Sequence, residues 1–207
     1  MNPELEAYIE RAILPRYARF DAAHGIDHVR TVIARSLRLA ERYDVDLDAV
    51  YVIAAYHDTG LAHGRANHHL DGGRILASDP MLRRWFSQER IDTMREAVED
   101  HRASSDRAPR SLYGRIVAEA DRLIDPATIL RRTVQYGLAH NPELDREGHY
   151  RRCLDHLRAK YAPGGYLRLW IEDSDNVQRL EALRTLIADP KRLRRLFDAT
   201  YDRETAR

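Results

Sequence analysis

Apolar residues recur at spacings of three and four along almost the whole chain, the signature of amphipathic helices. Residues 3–20 place Leu5, Ile9, Ala12 and Ile13 on one face, and Pro15 kinks or divides that helix. Residues 26–43 repeat the pattern with Ile26, Val29, Ile33, Leu37 and Ala40. Residues 47–57 differ: Val50, Val52, Ile53, Ala54 and Ala55 make them apolar most of the way round, as expected of a central buried helix. A loop rich in Gly and His is expected over 60–65. Further helices are expected over 67–77, briefly after Pro80, over 88–101 with Ser87 as cap, and over 111–123. The polar stretch 103–110 reads as a loop. From 126 to the end the pattern is helical apart from the turn Ala162-Pro163-Gly164-Gly165.

Asx-Pro pairs punctuate this pattern: Asn2-Pro3, Asp79-Pro80, Asp125-Pro126, Asn141-Pro142 and Asp189-Pro190. Each sets a capping side chain before a proline whose missing N–H costs nothing at the first helical position. Each therefore predicts a helix start. No sustained alternating or β-branched run is flanked by turn pairs, so no sheet is expected. The fold class is all-α: a helical bundle with a C-terminal helical extension.

Composition adds limits to this picture. The 207 residues, 43% hydrophobic and 32% charged, suit a globular domain with a core. The formal net charge of +1 argues for neither a nucleic-acid nor a membrane partner. Basic residues are almost all Arg, with Lys160 and Lys191 the only lysines. Arg also suits phosphate through its planar fork. Cys153 is the single cysteine, which rules out an internal disulfide and fits a reducing cytosol. The segment Met1-Asn2-Pro3-Glu4-Leu5-Glu6 lacks the basic and apolar regions of a signal peptide, and no apolar run is long enough for a membrane span. A cytoplasmic location is expected. Oligomeric state is not readable from the chain.

Candidate chemistry is concentrated in the first half, where seven of ten histidines lie between His24 and His101. They fall mainly at expected helix ends, where helices can aim ligands into one cavity. His57-Asp58 ends the most apolar helix, and a carboxylate there is costly unless something uses it. Asp121 stands in the small, apolar run Ala118-Glu119-Ala120-Asp121-Arg122. Mixed imidazole and carboxylate donors suit manganese, iron, cobalt, nickel, zinc or magnesium. His24, one turn from His28, reads as a supporting residue. His63 reads as a loop residue, and His140, His149 and His156 as surface or cap histidines. Cys153 reads as a small buried hydrophobe, Tyr166 and Trp170 as aromatics after a helix end, and Lys191–Arg195 as a solvated helix face.

The order His28, His57-Asp58, Asp121 resembles the H…HD…D signature of the HD-domain metal-dependent phosphohydrolase superfamily, in particular its small bacterial members. His24-Gly25-Ile26-Asp27-His28-Val29 is similar to that family's first motif, in which the second His is the ligand. Glu99-Asp100-His101-Arg102-Ala103-Ser104 and Ala118-Glu119-Ala120-Asp121-Arg122 resemble its later motifs. His68-His69-Leu70-Asp71-Gly72-Gly73-Arg74-Ile75-Leu76 resembles the extra-His helix of two-metal members. The resemblance covers about residues 24–125, making one all-α domain with an HD core there and a helical extension over about 126–207.

The resemblance implies that His28, His57, Asp58 and Asp121 hold a first divalent metal. Asp58 would bridge to a second, completed by His68 and His101. The register of Gly72-Gly73 favours His68 over His69, and the choice between them stays open. Many members carry a Lys shortly after the HD pair; the corresponding residue here is about Leu61, so Arg65, Arg102, Arg107 or Arg122 would supply positive charge. One or two metals per chain would acidify water and offset phosphate charge. Asp58 and His101 would move protons, with Arg102 beside the phosphate. The implied reaction is hydrolysis of a phosphoester or phosphoanhydride bond, in a nucleotide or another small phosphorylated metabolite. Two other classes share such a cage: a di-iron oxygenase, and a nucleotide-binding sensor without catalysis.

Overall fold

Helix starts follow the caps written in the chain. In the computed structural model, which describes residues 1–21, 23–105 and 107–206, α1 (Pro3–Ala12) begins where the Asn2 side chain accepts from the amides of Glu4 and Leu5. Pro15 ends that helical run, and the chain continues as a 3-10 helix over Leu14–Arg19. Next come α2 (Ile26–Ala40) and α3 (Leu47–Tyr56), the latter capped by Asp46. The expected 60–65 loop is instead largely a second 3-10 helix, Thr59–His63. After it lie α4 (His68–Ala77), a 3-10 turn Pro80–Arg84 capped by Asp79, and α5 (Gln88–Glu99) capped by Ser87. Then comes α6 (Leu112–Asp121), capped by Ser111. Asp106, inside the expected 103–110 loop, lies outside the described residues.

The remaining helices are α7 (Pro126–His140), α8 (Arg146–Tyr161), α9 (Asp175–Ala188) and α10 (Pro190–Thr205). Among the described residues there is no strand, and no helix is long and apolar enough to cross a membrane. The described residues are all-α.

Two further expectations fail locally. Asn141-Pro142 does not start a helix. The Leu144 amide donates to the Asn141 carbonyl at 3.1 Å, which makes 141–144 a turn with Pro at its second position. Asp145, accepting from the Gly148 amide at 2.7 Å, caps α8 instead. The stretch 162–174 is also not helical beyond its expected turn. Gly164 takes φ +83°, and the amides of Tyr166 and Leu167 fold back onto the carbonyls of Ala159 and Lys160, both at 3.0 Å. Leu167 and Ile171 are then buried from an irregular backbone.

The chain divides into two compact units, Met1–Arg122 and Leu123–Arg207. In the first, α3 is the axis. Every residue from Ala49 to Tyr56 is buried, and α1, α2, α4, α5 and α6 all pack on it. Val29, Val32, Met94, Val98, Ile116 and Val117 close round it with almost no exposure. Each such side chain contributes about 1.5–3 kcal/mol by leaving water. In the second unit α7 packs on α8 and α10, and α9 packs on the same two helices. Leu130, Cys153, Leu157, Leu183 and Phe197 form its core. His149, read from the sequence as a surface or cap histidine, is buried there beside Tyr201. Lys191, Arg192 and Arg195 lie on the exposed face of α10.

Glycines let α4 approach its neighbours at backbone distance. A Cβ on Gly60 would strike the His68 carbonyl oxygen and lie 2.5 Å from the Gly72 amide. A Cβ on Gly72 would lie 3.1 Å from the His57 carbonyl oxygen. One on Gly73 would lie 2.8 Å from Glu99 Cγ. Small residues at these positions bring the start of α4 against the end of α3. Gly60→Ala is therefore expected to destabilise the protein by about 1–3 kcal/mol or more, because the obstacle is backbone. A thermal melt followed by circular dichroism measures this; an unchanged midpoint would show that the approach is not tight.

Candidate metal centre

The end of α3 is shaped by side chains that occupy its last carbonyls. His57 Nδ1 lies 2.7 Å from the Ala54 carbonyl oxygen. Tyr17 Oη donates to the Ala55 carbonyl at 2.9 Å, and Thr59 Oγ1 donates to the Tyr56 carbonyl at 2.7 Å. These are the carbonyls a continuing helix would offer to residues 58, 59 and 60. The chain turns there, with Asp58 at φ −103°, ψ 4°. His57 and Asp58 are both buried at this turn.

The same device sets two more histidines. His101 Nδ1 lies 2.6 Å from the Val98 carbonyl, and His68 Nδ1 lies 2.8 Å from the Arg65 carbonyl. A carbonyl oxygen can only accept, so Nδ1 carries the hydrogen in all three rings. In the neutral ring the opposite nitrogen, Nε2, then offers a lone pair, the form that binds a metal.

All three Nε2 atoms point at Asp58, as does that of His28 from the first turn of α2. Asp58 Oδ2 lies 3.2 Å from His57 Nε2 and 3.5 Å from His28 Nε2. Asp58 Oδ1 lies 3.4 Å from His101 Nε2 and 3.6 Å from His68 Nε2. Asp121, the last residue of α6, brings Oδ1 to 3.2 Å from His28 Nε2 and 3.9 Å from His57 Nε2. His28 and His57 approach each other at 3.2 Å through Nε2. Two ligand groups result, His28–His57–Asp58 and Asp58–His68–His101, each with its donor atoms within 4.8 Å of one another. They share Asp58.

The electrostatics describe a place that holds positive charge. Burial opposes ionisation of Asp58, but the surrounding His57, His101 and His28 hold its pKa well below the carboxylate range. Burial likewise opposes ionisation of Asp121, and His28 and His57 hold it down. On the imidazole side, burial works against a charge on His28, yet Asp121 and Asp58 outweigh it and push the pKa up to about 9. Burial also disfavours charge on His101, while Asp58 raises its pKa. Burial and the neighbouring His101 lower that of His68. Lone pairs and carboxylate oxygens at this spacing repel unless a cation lies among them. Their mixed N and O chemistry fits a divalent transition metal or magnesium.

The six expected ligands thus meet at one place. His69 does not join them: its ring packs on His68 with centroids 5.6 Å apart, and its Nδ1 is buried without a hydrogen-bond partner. His24 stays outside the cluster, with Nδ1 2.7 Å from Asp21 and its ring 5.9 Å from that of His28. His63 is exposed.

The arginines separate too. Arg102, directly after His101, donates from Nη1 to the Ala66 carbonyl at 2.8 Å and from Nε to Ser104 Oγ at 2.9 Å. It spans from the end of α5 to the residues just before His68. Arg122 is buried and bonds the Ala118 carbonyl of its own helix. Arg65 is exposed, 3.5 Å from Asp21. Arg107 is exposed and bonds Ser105 through its backbone.

Arg110 clamps the segment after His101. Its amide donates to Asp100 Oδ2 at 2.7 Å and its Nη2 to the Glu96 carbonyl at 2.9 Å. Neither Arg110 nor Tyr17 stood out in the sequence. The Arg110 contact spans a loop, and a lone Tyr in a helical pattern reads as core.

The HD domain family model matches residues 25–124. Among solved structures, a predicted HD superfamily hydrolase from an uncultured Thermotogales bacterium is similar. It is 25% identical, with a TM-score of 0.52 over 65% of this chain and 76% of that one. No curated protein matches the chain. The matched span begins just before His28 and ends just after Asp121, and so contains every residue of the His/Asp cluster. The chain carries an HD domain over residues 25–124.

Proposed function

We propose that this protein is a metal-dependent phosphohydrolase acting on a phosphoester or phosphoanhydride bond of a small phosphorylated metabolite, a nucleotide being the first class to try. The observation that carries the reading is the single buried Asp58, which offers one carboxylate oxygen to each of two histidine pairs. The similar solved structure described as a hydrolase supports the reaction class. His28, His57, Asp58 and Asp121 would hold one divalent cation, and Asp58, His68 and His101 a second. Such cations, when bound, acidify water and offset charge on phosphoryl oxygens.

The chain's own residues prepare that chemistry. Carbonyl bonds at Nδ1 keep His57, His68 and His101 in one tautomer and orientation, so little reorganisation is needed on loading. Asp58 stays ionised because imidazoles surround it. Arg102, anchored to Ala66 and Ser104, adds fixed positive charge beside the His68–His101 half, where a phosphate would find its counter-charge. His101 Nε2 and Asp58 Oδ1, 3.4 Å apart, can hold a proton between them when no cation occupies that half.

The test is to load the purified protein with manganese, iron, cobalt, nickel or magnesium and screen phosphoesters and nucleotides. Asp58→Ala should abolish binding of both cations and lower turnover by on the order of 10²–10³ or more, the scale of a lost electrostatic contact in such a site. His68→Ala should remove one cation and retain the other, read by elemental analysis. Full metal content and activity in Asp58→Ala would sink the proposal. Oxygen consumption by the iron-loaded protein, without phosphate release, would replace it with an oxygenase.

Metal uptake should also release protons. At about pH 7.5, His28 with its pKa near 9 is still protonated in the metal-free protein, and a cation must displace that proton. Titration calorimetry in two buffers of different ionisation enthalpy should report a release that shrinks as pH rises through about 9. A binding heat independent of buffer would contradict this.

A further inference from the structure

Tyr17 lies upstream of the matched span 25–124, on the 3-10 helix Leu14–Arg19, and is fully buried. Its hydroxyl is inserted into the end of α3. It donates to the Ala55 carbonyl at 2.9 Å and accepts from the Asp58 amide at 3.2 Å. One phenol therefore bonds the backbone before and after His57. Its ring sits 6.2 Å from that of His57 and packs edge-on against Phe20 at 5.4 Å. Asp58 in turn must present two oxygens in opposite senses, Oδ2 to His28 and His57, Oδ1 to His68 and His101. A small rotation of its backbone would favour one half over the other. His57 and Thr59 occupy carbonyls of the same helical turn, but neither bonds the Asp58 amide.

We propose that Tyr17 is a positioning residue that sets Asp58 so that its carboxylate serves both metal sites. The inference rests on the metal-site reading above. It adds to the centre a residue from outside the family's matched span, acting through backbone alone.

Tyr17→Phe removes the hydroxyl and keeps the ring. Tyr56→Phe is the matched control, because Tyr56 is equally buried and its hydroxyl donates to Asp79 at 2.5 Å, on a different partner. Metal-free proteins are titrated with Co²⁺, following affinity, stoichiometry and the visible spectrum of bound cobalt. Loss of an outer partner of a metal ligand weakens binding by about 10–100-fold. Tyr17→Phe should show such a loss with an altered spectrum, while Tyr56→Phe loses thermal stability but keeps wild-type affinity and spectrum. Wild-type cobalt binding in Tyr17→Phe, or equal losses in both variants, overturns the inference. If Tyr17→Phe does not fold, hydrogen exchange of the Asp58 amide in the wild-type protein decides. Protection like that of the α3 core supports the bond to Tyr17, and exchange at the rate of an exposed amide overturns it. If the wild-type protein takes up no Co²⁺, the metal-site reading fails first and this inference falls with it.

Discussion

A carboxylate is buried at the end of the most apolar helix, and the first unit is arranged so that it can stay ionised. Removing a charge from water costs several kcal/mol unless partners replace the solvent. Asp58 has four imidazoles as partners, drawn from α2, the end of α3, the start of α4 and the segment after α5. Each of those elements must arrive at one point, and the packing around α3 brings them there. The apolar faces of α2, α4 and α5 are therefore part of the site, since they hold the ligands at contact distance.

Two kinds of local constraint give that convergence its accuracy. One is side-chain capture of backbone carbonyls: His57, His68 and His101 each bond a carbonyl three residues earlier, which fixes ring orientation before any ligand arrives. The other is close backbone approach. Gly60, Gly72 and Gly73 leave no room for a Cβ between α4 and its neighbours, so His68 is carried to Asp58 by backbone contact. A larger residue would move the whole start of α4. The Arg110 clamp does related work on the far side of His101, tying the following loop to Asp100 and the end of α5.

The second unit, Leu123–Arg207, follows ordinary helix-packing logic and carries its own buried polar group in His149. Of its other histidines, His140 stacks on Tyr136 with ring centroids 4.0 Å apart, and His156 is exposed. Cys153, buried in the core, has its thiol pKa pushed up to about 12 by burial, which leaves it an apolar filler.

The sequence alone determined the helices, because spacing of three and four and Asx caps act locally. Asn2, Asp79, Asp125 and Asp189 start helical turns as their chemistry dictates, and Pro15 divides the first helix. It misled at Asn141-Pro142, where cap and turn chemistry look alike until Asp145 competes for the cap. It misled again over 162–174, where anchors such as Leu167 and Ile171 mimic helical spacing. His28, the His57-Asp58 pair and Asp121 were legible as an ordered set through their resemblance to the H…HD…D signature, each standing at the end of an expected helix. Which of His68 and His69 faces Asp58 is visible only in the tertiary structure, where His68 Nε2 lies 3.6 Å from Asp58 Oδ1. Both lie on the first turn of α4, and only the glycine-tight approach of that turn to the end of α3 turns His68 Nε2 toward Asp58. The tertiary structure alone also revealed Tyr17, since a hydroxyl reaching across 41 positions to a backbone amide leaves no trace in spacing or composition.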